Sequence, residues 1–472
     1  MDYSTALSTY HQIHSVRNRL KKRDGLPFLE IFSRSFVEAA CRRCRHQWRD
    51  RIYTPWITLS LFLSQMLSDD HSCDQTVERF QKFRHDQGLS SVSPDTGSYC
   101  EARQRLPEAL IWDLARRIGQ SLHDHSKSSW LFHDRPVKIV DGSTVVMPDT
   151  RENQAAYPQP ATQAPGMGFP MARILVIFSL AVGTVLDAAI GPYRGKQTSE
   201  LALFRQVIDH FQPGDIVLAD RFYCSFWLIA ALQARGVDVV VRLHQCRKTD
   251  FRQGRRLGRE DHIVTWSRRQ EIPDWMGRAE YETMPRELAI RELRIRVRDR
   301  TKRVREIVIA TTLLDSELYS GDELRRLFRE RWHAELDFRT LKTVMQMEML
   351  RTKTPEMVRK EIGMYFLAYN LIRGTMTEAA RVEQIKPRRL SFKGALHTVR
   401  AFEESHLYES DRIEADLPRL VELIGKKRVG DRPDRYEPRA VKRRPKPHPL
   451  LRIPRKQAQR LIRRGLIPYS KG

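Results

Sequence analysis

The sequence predicts an α/β fold in which helices pack on a mixed β-sheet, with further helical regions towards both ends of the chain. Short β-type runs alternate with helical segments between residues 137 and 243, a pattern typical of a sheet covered by helices. Apolar residues recur at helical spacing before residue 130 and after residue 321. The 472 residues exceed the length at which a single core stops growing, about 250–300 residues, so we expect several domains.

Residues 1–130 are predicted to form a helical N-terminal DNA-binding region. Apolar positions at helical spacing occur at 29–36 and at 106–118, and arginines and lysines are scattered through the region. Cys41 and Cys44 form a single Cys-x-x-Cys, but no second ligand pair follows at matching spacing. We therefore interpret both as residues on one helix face rather than as a zinc site. The six cysteines do not form a disulfide framework.

Residues 131–244 are predicted to form a mixed sheet with helices packed on it, and residues 316–385 a mainly helical segment. Between them, residues 245–315 are expected to form a β-rich insertion that begins with a basic, Gly- and Arg-rich loop. Strands are predicted at 137–140, with the β-type run continuing at 144–147, and at 174–190 (two, joined by a turn), 215–219 and 237–243. Helices are predicted at 199–211, 226–232, from 321 onwards and 361–381.

Residues 386–472 are predicted to form a C-terminal region that ends in a basic, proline-rich tail. Residues 426–472 hold 17 lysines and arginines, 3 acidic residues and seven prolines. Such a segment would be an extended cationic arm that holds phosphates without reading sequence.

The charge of the whole chain indicates a polyanionic partner. The 83 lysines and arginines outnumber the 58 acidic residues, giving a formal charge of +25, which favours nucleic acid. No run approaches the roughly 20 apolar residues that a bilayer requires, and the N-terminus has no apolar stretch typical of a secretory signal. We expect a soluble, cytoplasmic protein without a membrane partner.

Three acidic residues are candidates for chemistry. Asp141 and Asp220 each follow a predicted strand, and Arg331, Glu335 and Lys342 are spaced by four and seven, within about 40° of one another on a regular helix. The alternative interpretation is two turn-capping aspartates and an ordinary surface ion pair. As a set, the three carboxylates offer only oxygen ligands, which suit Mg²⁺. Two such ions assist phosphodiester displacement.

Other chemistries find no support in the sequence. There is no Gly-x-x-x-x-Gly-Lys-Ser/Thr loop and no Gly-x-Gly-x-x-Gly, so a nucleotide-driven motor is not expected. The segment that begins at His333 matches a His-Glu-x-x-His motif only in part.

Several segments, in order, resemble a known family. They are Asp141-Gly-Ser-Thr-Val-Val-Met-Pro-Asp-Thr, Ala219-Asp-Arg-Phe-Tyr-Cys-Ser, Arg331-Trp-x₂-Glu-x₆-Lys, Tyr157-Pro-Gln-Pro, Gly191-Pro-Tyr-Arg-Gly-Lys and Lys353-Thr-Pro-Glu-Met-Val-Arg-Lys-Glu. Together they resemble the DDE transposases of bacterial insertion sequences, in particular the insertion-sequence-four-like group with its Tyr-x₂-Arg-x₃-Glu-x₆-Lys signature. The resemblance covers residues from about 28 to about 400.

The resemblance implies a ribonuclease-H-like catalytic domain, with residues 131–244 as its first part and residues 316–385 as its second part, interrupted by the β-rich insertion. It implies that Asp141, Asp220 and Glu335 are the catalytic, metal-binding triad. Arg331 and Lys342 would be DNA phosphate contacts.

The chain departs from the family at the tyrosine of the signature. That position is Phe328, which has no hydroxyl to donate to a phosphate. The family also holds a flipped base with an aromatic residue of the insertion, for which Trp266 and Trp275 are both candidates.

The implied activity is cut-and-paste transposition of an insertion sequence by two-metal phosphodiester hydrolysis and strand transfer. The implied cofactor is Mg²⁺, as two ions, with Mn²⁺ as a substitute. The implied partners are double-stranded DNA, namely the terminal inverted repeats and the target DNA, and a second copy of the chain in a homodimer on DNA. The location would be a bacterial cytoplasm, associated with the nucleoid. One alternative is a catalytically inactive, transposase-derived regulator that binds element ends, and another is a plain metal-dependent nuclease.

Overall fold

The computed structural model describes residues 33–49, 51–195, 198–273, 275–298, 304–406, 410–430 and 452–466. The predictions made for residues 1–32 and for most of the basic tail lie outside these residues. Within them, no helix is both long and apolar enough to cross a membrane.

The N-terminal region is helical, and the central part alternates strands and helices. The first helices are α1 (Arg34–Arg43), α2 (Pro55–Leu67), α3 (Cys73–Asp86), α4 (Gly97–Arg105) and α5 (Glu108–Asp124). The central part contains β1 (Val137–Val146), α6 (Arg151–Ala156), β2 (Met171–Ser179), β3 (Val185–Pro192), α7 (Glu200–Gln206), β4 (Ile216–Ala219), α8 (Phe226–Gln233) and β5 (Asp238–Arg242).

A β-rich segment and a second set of helices follow. The segment contains β6 (Arg255–Gly258), β7 (Asp261–Ser267), α9 (Arg278–Thr283), β8 (Glu287–Arg298) and β9 (Val304–Thr311). The later helices are α10 (Gly321–Glu330), α11 (Trp332–Arg339), a π-helical turn (Thr340–Val344), α12 (Pro355–Val382), α13 (Phe392–His406), α14 (Ser410–Gly425) and α15 (Arg455–Arg463).

Local sequence explains where the helices around the site begin. Ser320 and Glu323 form a capping box at the start of α10, in which each side chain accepts from the backbone N–H of the other residue. Thr354 caps α12 by accepting from the Met357 N–H, and Pro355 occupies the first turn, where its missing N–H costs nothing.

The described strands form one nine-stranded sheet with the order β3-β2-β1-β4-β5-β9-β8-β7-β6. Strands β1, β2 and β3 are antiparallel neighbours, and β4 and β5 run parallel to β1. Three antiparallel strands followed by two parallel ones are the arrangement of a ribonuclease-H-like sheet, so the predicted fold class is confirmed. The strands of the insertion continue the same sheet, because β9 pairs with β5 in antiparallel register.

The core between the sheet and the helices is built around α12. Gly363 of this helix allows α5 to approach closely, since a Cβ there would lie 2.9 Å from an Ile111 side-chain carbon. The Asn370 side chain accepts from the Val185 N–H (2.8 Å) and donates to the carbonyls of Ala115 (2.9 Å) and Val185 (2.8 Å). This buried amide therefore ties α12 to both α5 and β3.

Two predicted boundaries are wrong. Asp141 does not end a strand, because β1 continues to Val146 and pairs with β2 along its whole length. The helix that begins at Gly321 is not continuous either. It is interrupted at Arg331, whose N–H bonds to the Phe328 carbonyl and whose own carbonyl accepts from the Ala334 N–H. These i→i+3 bonds tighten the chain at this point and separate α10 from α11.

Candidate active site

Asp141 lies on β1, and Asp220 directly follows the adjacent parallel strand β4 at the same level of the sheet. The register of β1 and β4 pairs Val137 with Ile216 and Ile139 with Leu218. Continuing this register brings Asp141 level with Asp220, which directly follows β4. Adjacent strands are about 4.8 Å apart, and side chains at one level point to the same face of the sheet. The sheet thus brings together two aspartates that are 79 positions apart in the chain.

Asp141 is held in an environment that disfavours its charge. Its Oδ1 accepts from the Gly142 N–H at 2.9 Å. The pKa of the carboxyl is raised to about 7, mainly by removal from solvent and also by the nearby charges of Asp220 and Glu200, while the Gly142 N–H and the charge of Arg331 oppose this rise. Asp141 therefore lies among other carboxylates, with the Arg331 guanidinium as the nearby cation that counters them.

Asp220 is fixed by a short turn. Its Oδ1 accepts from the Phe222 N–H at 2.7 Å and caps the 3₁₀ helix Arg221–Tyr223. Asp220 therefore does cap a turn, as the alternative interpretation proposed. Its carboxylate remains at the level of Asp141 all the same. Phe222, which follows immediately, is 57% exposed.

Glu335 lies on α11 and is paired with Arg331. The Arg331 Nη2 donates to Glu335 Oε1 at 3.1 Å, and the glutamate side chain is 41% exposed. The predicted helix-face pair is therefore present. Among the described residues, no three His, Cys, Asp or Glu side chains lie close enough to hold a metal ion together. The convergence of Asp141, Asp220 and Glu335 thus stays a prediction.

Lys342 lies in the π-helical turn that follows α11. This turn is wider than an α-helical turn. The spacing of seven residues between Glu335 and Lys342 therefore no longer places their side chains on one face of a regular helix. The Lys342 Nζ lies 3.7 Å from Glu348 Oε1. The chain beyond it returns to the sheet, where the Val146 N–H donates to the Glu348 carbonyl and the Leu350 N–H to the Val146 carbonyl.

A buried ion-pair network holds α11 against the rest of the protein. Asp337 is fully buried, and its Oδ1 accepts from Arg373 (2.6 Å), Tyr369 (3.0 Å) and Arg388 (3.0 Å). Arg388 also donates to the Leu180 carbonyl at 2.8 Å. Since Asp337 is two residues beyond Glu335, this network fixes the helix that carries the candidate glutamate.

The three aromatic candidates differ in burial. Phe328 is 7% exposed and belongs to the main core. Trp266 is 5% exposed, and its Nε1 donates to Glu292 at 2.9 Å, so it is a core residue. Trp275 is half-buried, with the Arg205 guanidinium 4.0 Å from its ring centroid. The structure therefore leaves Trp275 as the better candidate for contact with a base.

Glu200 is a carboxylate near the site that the sequence analysis missed. A Cβ on Gly142 would lie 2.6 Å from Glu200 Cδ, so this side chain packs against the backbone next to Asp141. The Tyr223 hydroxyl donates to Glu200 Oε2 at 3.3 Å. Burial raises the pKa of Glu200, and the charge of Asp220 adds to this effect. In the sequence, Glu200 lies four positions after the Gly191-Pro-Tyr-Arg-Gly-Lys segment. This closeness to one of the family motifs was the signal that could have indicated it.

The donor set fits a hard divalent cation. Asp141, Asp220 and Glu200 offer only carboxylate oxygens, but as they stand they do not lie close enough together to hold one ion. Glu335 would add another carboxylate only after leaving Arg331. Oxygen-only sites suit Mg²⁺ and Mn²⁺. A cation placed among these carboxylates would relieve their mutual repulsion, which is a second reason for the fit.

The chain is similar to known transposases. The model of a family described as a transposase DDE domain matches residues 132–371. The chain is 27% identical over 362 residues to the transposase InsG for insertion sequence element IS4 of Escherichia coli strain K12, covering 74% of this chain and 77% of that protein. It is 26% identical over 141 residues to the putative transposase InsZ of the same organism, covering 29% of this chain and 46% of that one.

Among solved structures, the piggyBac transposase synaptic complex with hairpin DNA is similar, with a TM-score of 0.40, 11% identity and 87% of both chains covered. The family match spans about half of the chain and includes the positions of Asp141, Asp220 and Glu335. The chain therefore belongs to the family of transposases with a DDE domain, enzymes that cleave DNA and transfer its strands.

Proposed function

We propose that this transposase moves an insertion sequence by a cut-and-paste reaction in which Asp141, Asp220 and Glu335 form the catalytic triad. The observation that carries the proposal is the level placement of Asp141 and Asp220 on adjacent parallel strands, with the charge of Arg331 acting on Asp141. Two carboxylates on rigid strands and a guanidinium facing them suit a site for a phosphodiester.

Enzymes of this family generally depend on divalent metal ions, and we propose Mg²⁺, as two ions, with Mn²⁺ as a substitute. Asp141, Asp220 and Glu335 would hold them. When bound, the ions would activate the attacking oxygen and stabilise the leaving oxygen in hydrolysis and in strand transfer.

Two cationic side chains of the protein would hold the DNA phosphates in position. Arg331 can place its planar fork on two phosphate oxygens, whereas Lys342 supplies a point charge. For this, Arg331 must exchange the carboxylate of Glu335 for a DNA phosphate, which frees Glu335 to turn towards the two aspartates. Substrate binding and completion of the triad would therefore be one event.

The proposed partners are the terminal inverted repeats of the element, the target DNA and a second copy of the chain. The formal charge of +25 supports binding through many phosphate contacts, so affinity should fall steeply with salt. Two element ends must be cut together, and a homodimer on DNA is the simplest assembly that does so.

A Glu335→Gln variant tests the catalytic role. Wild type and variant are incubated with a labelled duplex that carries the terminal sequence of the element, with Mg²⁺ present. We expect equal binding, nicking by wild type only, and joining of the cut end to a second duplex. Equal binding without nicking by either protein would favour a regulator that occupies element ends, and nicking without joining would favour a plain nuclease.

The variant needs a control that leaves the site intact. Asp322→Asn changes an exposed carboxylate on α10, whose partner is Arg325 at 2.6 Å. We expect this variant to nick and join like wild type. A loss of activity in both variants would indicate a general defect and would contradict the assignment of Glu335.

A further inference from the structure

An exposed aromatic ring lies directly beside the second aspartate of the candidate active site. Phe222 is 57% exposed, the largest fraction for any large apolar side chain in the part of the protein that the structure describes. Its backbone N–H donates to Asp220 Oδ1 at 2.7 Å. Single exposed apolar residues are common on protein surfaces, but this ring is distinguished by its place and by the firmness with which its backbone is held.

The backbone that carries Phe222 is anchored on both sides. Asp220 caps the 3₁₀ helix Arg221–Tyr223, and the Tyr223 N–H donates to the Asp220 carbonyl at 3.3 Å. The Tyr223 side chain is 1% exposed, and its hydroxyl donates to Glu200 Oε2 at 3.3 Å. The turn therefore presents the Phe222 ring on an ordered backbone, and a ligand that contacts the ring does not have to order the chain first.

Polar side chains border the ring. The guanidinium carbon of Arg221 lies 5.8 Å from the centroid of the Phe222 ring, and Arg221 Nη1 donates to Gln245 Oε1 at 3.0 Å. Because this bond uses the oxygen of Gln245, the amide nitrogen can donate to a ligand. Gln245 is exposed and lies at the start of the insertion, close in sequence to the exposed cation Lys248. Ring and donors thus lie together where the turn after β4 meets the insertion.

This combination fits a nucleobase better than a further phosphate. A phenyl ring has no donor for a phosphate oxygen, whereas its face can stack on any base. A guanidinium and an amide can donate to the acceptors on the edge of a base. Cleavage of DNA leaves such a base at the new end, where it has a stacking neighbour on one side only.

We propose that Phe222, with Arg221 and Gln245 at its edge, forms a subsite that stacks on the base next to the scissile phosphate. The subsite rests on the proposed function, because the phosphate must lie at Asp220 for the adjoining base to reach the ring. Phe222 is a binding residue that keeps this nucleotide in position against the carboxylates. The subsite is separate from the two tryptophans of the insertion.

The first test removes the ring and measures binding without divalent ions, so it does not depend on cleavage. The probe is a duplex with the terminal sequence of the element, already cut at the element end. We expect Phe222→Ala to bind it roughly 5–150-fold more weakly, the range for base-stacking rings, with an unchanged melting temperature because the ring is exposed. Phe222→Leu should bind nearly as weakly and Phe222→Tyr like wild type. Equal affinities of wild type and Phe222→Ala would overturn the proposal.

The second test removes the base instead of the ring. In a series of cut duplexes, one nucleotide at a time, counted from the end, is replaced by an abasic site. At the position beside the cut, we expect the abasic site and Phe222→Ala to weaken binding no further together than either does alone, since both remove the same contact. Effects that multiply at every position would overturn the subsite, and they are the result expected if Phe222 packs against a second copy of the chain.

A matched control separates the subsite from general damage. Leu318→Ala removes an apolar side chain that is 50% exposed. The next residue, Tyr319, stacks on Phe132 before the start of β1, so Leu318 lies at the end of the sheet opposite Asp220. We expect Leu318→Ala to bind like wild type, and a loss equal to that of Phe222→Ala would contradict the proposal. A wild type that fails to nick the uncut duplex would reject the triad, whereas loss of the position-specific effect would reject the subsite alone.

Discussion

The guanidinium of Arg331 binds the carboxylate of Glu335, with Arg331 Nη2 3.1 Å from Glu335 Oε1. The same guanidinium opposes the rise in the pKa of Asp141 that burial causes. One cation is thus shared between the helix that carries the third acid and the strand that carries the first. Such an exposed pair contributes little to stability by itself, so its exchange for a DNA phosphate costs little.

Arg331→Ala is expected to weaken binding of end DNA and to reduce the slope of log Kd against log salt by about one, because one phosphate contact is lost. The measurement is a series of binding curves at several salt concentrations. Arg325→Ala is the matched control, since Arg325 pairs with Asp322 on α10. An unchanged slope in Arg331→Ala would exclude the phosphate contact.

Glu200→Gln should weaken divalent-ion binding and slow cleavage by roughly 10–100-fold, the range typical of residues that support metal ligands. The amide can still accept from the Tyr223 hydroxyl, so the fold should be retained. Calorimetric titration with Mn²⁺ and a cleavage assay provide the two measurements. Glu282→Gln, which alters an exposed glutamate paired with Arg278, is the control, and equal Mn²⁺ affinity in both variants would contradict the prediction.

Gly142→Ala should also weaken divalent-ion binding and slow cleavage, although it changes no charge. A Cβ at this position would lie 2.6 Å from Glu200 Cδ and displace that side chain. Gly97→Ala is the control, because nothing lies within 4 Å of its added carbon. If Gly142→Ala cleaves DNA as fast as Gly97→Ala, the close approach of Glu200 has no role in the reaction.

Asp337→Ala is expected to lower the free energy of unfolding by about 3–5 kcal/mol, because it leaves the buried charges of Arg373 and Arg388 unpaired. Denaturant unfolding followed by circular dichroism measures this change. Asp322→Ala, at an exposed ion pair, should change stability little. Similar losses in the two variants would show that the network does not anchor α11.

Phe328→Tyr restores the tyrosine of the family signature. We expect tighter binding of end DNA or faster cleavage, because the new hydroxyl can donate to a phosphate. Since Phe328 is 7% exposed, the ring itself should stay in place. Phe338→Tyr, another buried ring on the neighbouring helix, is the control, and unchanged affinity and rate in Phe328→Tyr would remove the idea.

The sequence predicted the sheet because local patterns encode it. Alternating apolar runs and capping residues gave the strands and helices of the central part close to their observed bounds. The order of the motifs identified the family and predicted the roles of Asp141, Asp220 and Glu335. The charge surplus indicated a polyanionic partner.

The side-chain positions predicted from sequence spacing are wrong where the backbone departs from regular helix geometry. The break at Arg331 and the π-helical turn at Lys342 change the faces that a uniform 3.6-residue period assigns. The β-type runs at 137–140 and 144–147 form one strand because β1 pairs with β2 across Asp141 and the two residues after it, and pairing between distant segments leaves no local signature.

By itself the sequence determined which residue types the protein has available, where they lie along regular elements, and the surplus of positive charge that the chain carries. Only the tertiary structure decided which of them meet: Asp141 with Asp220 through the parallel register, Glu200 with Gly142, and Asp337 with Arg373 and Arg388. The physical reason is that these contacts join side chains brought together by packing and strand register, and neither is encoded in the spacing of neighbours along the chain.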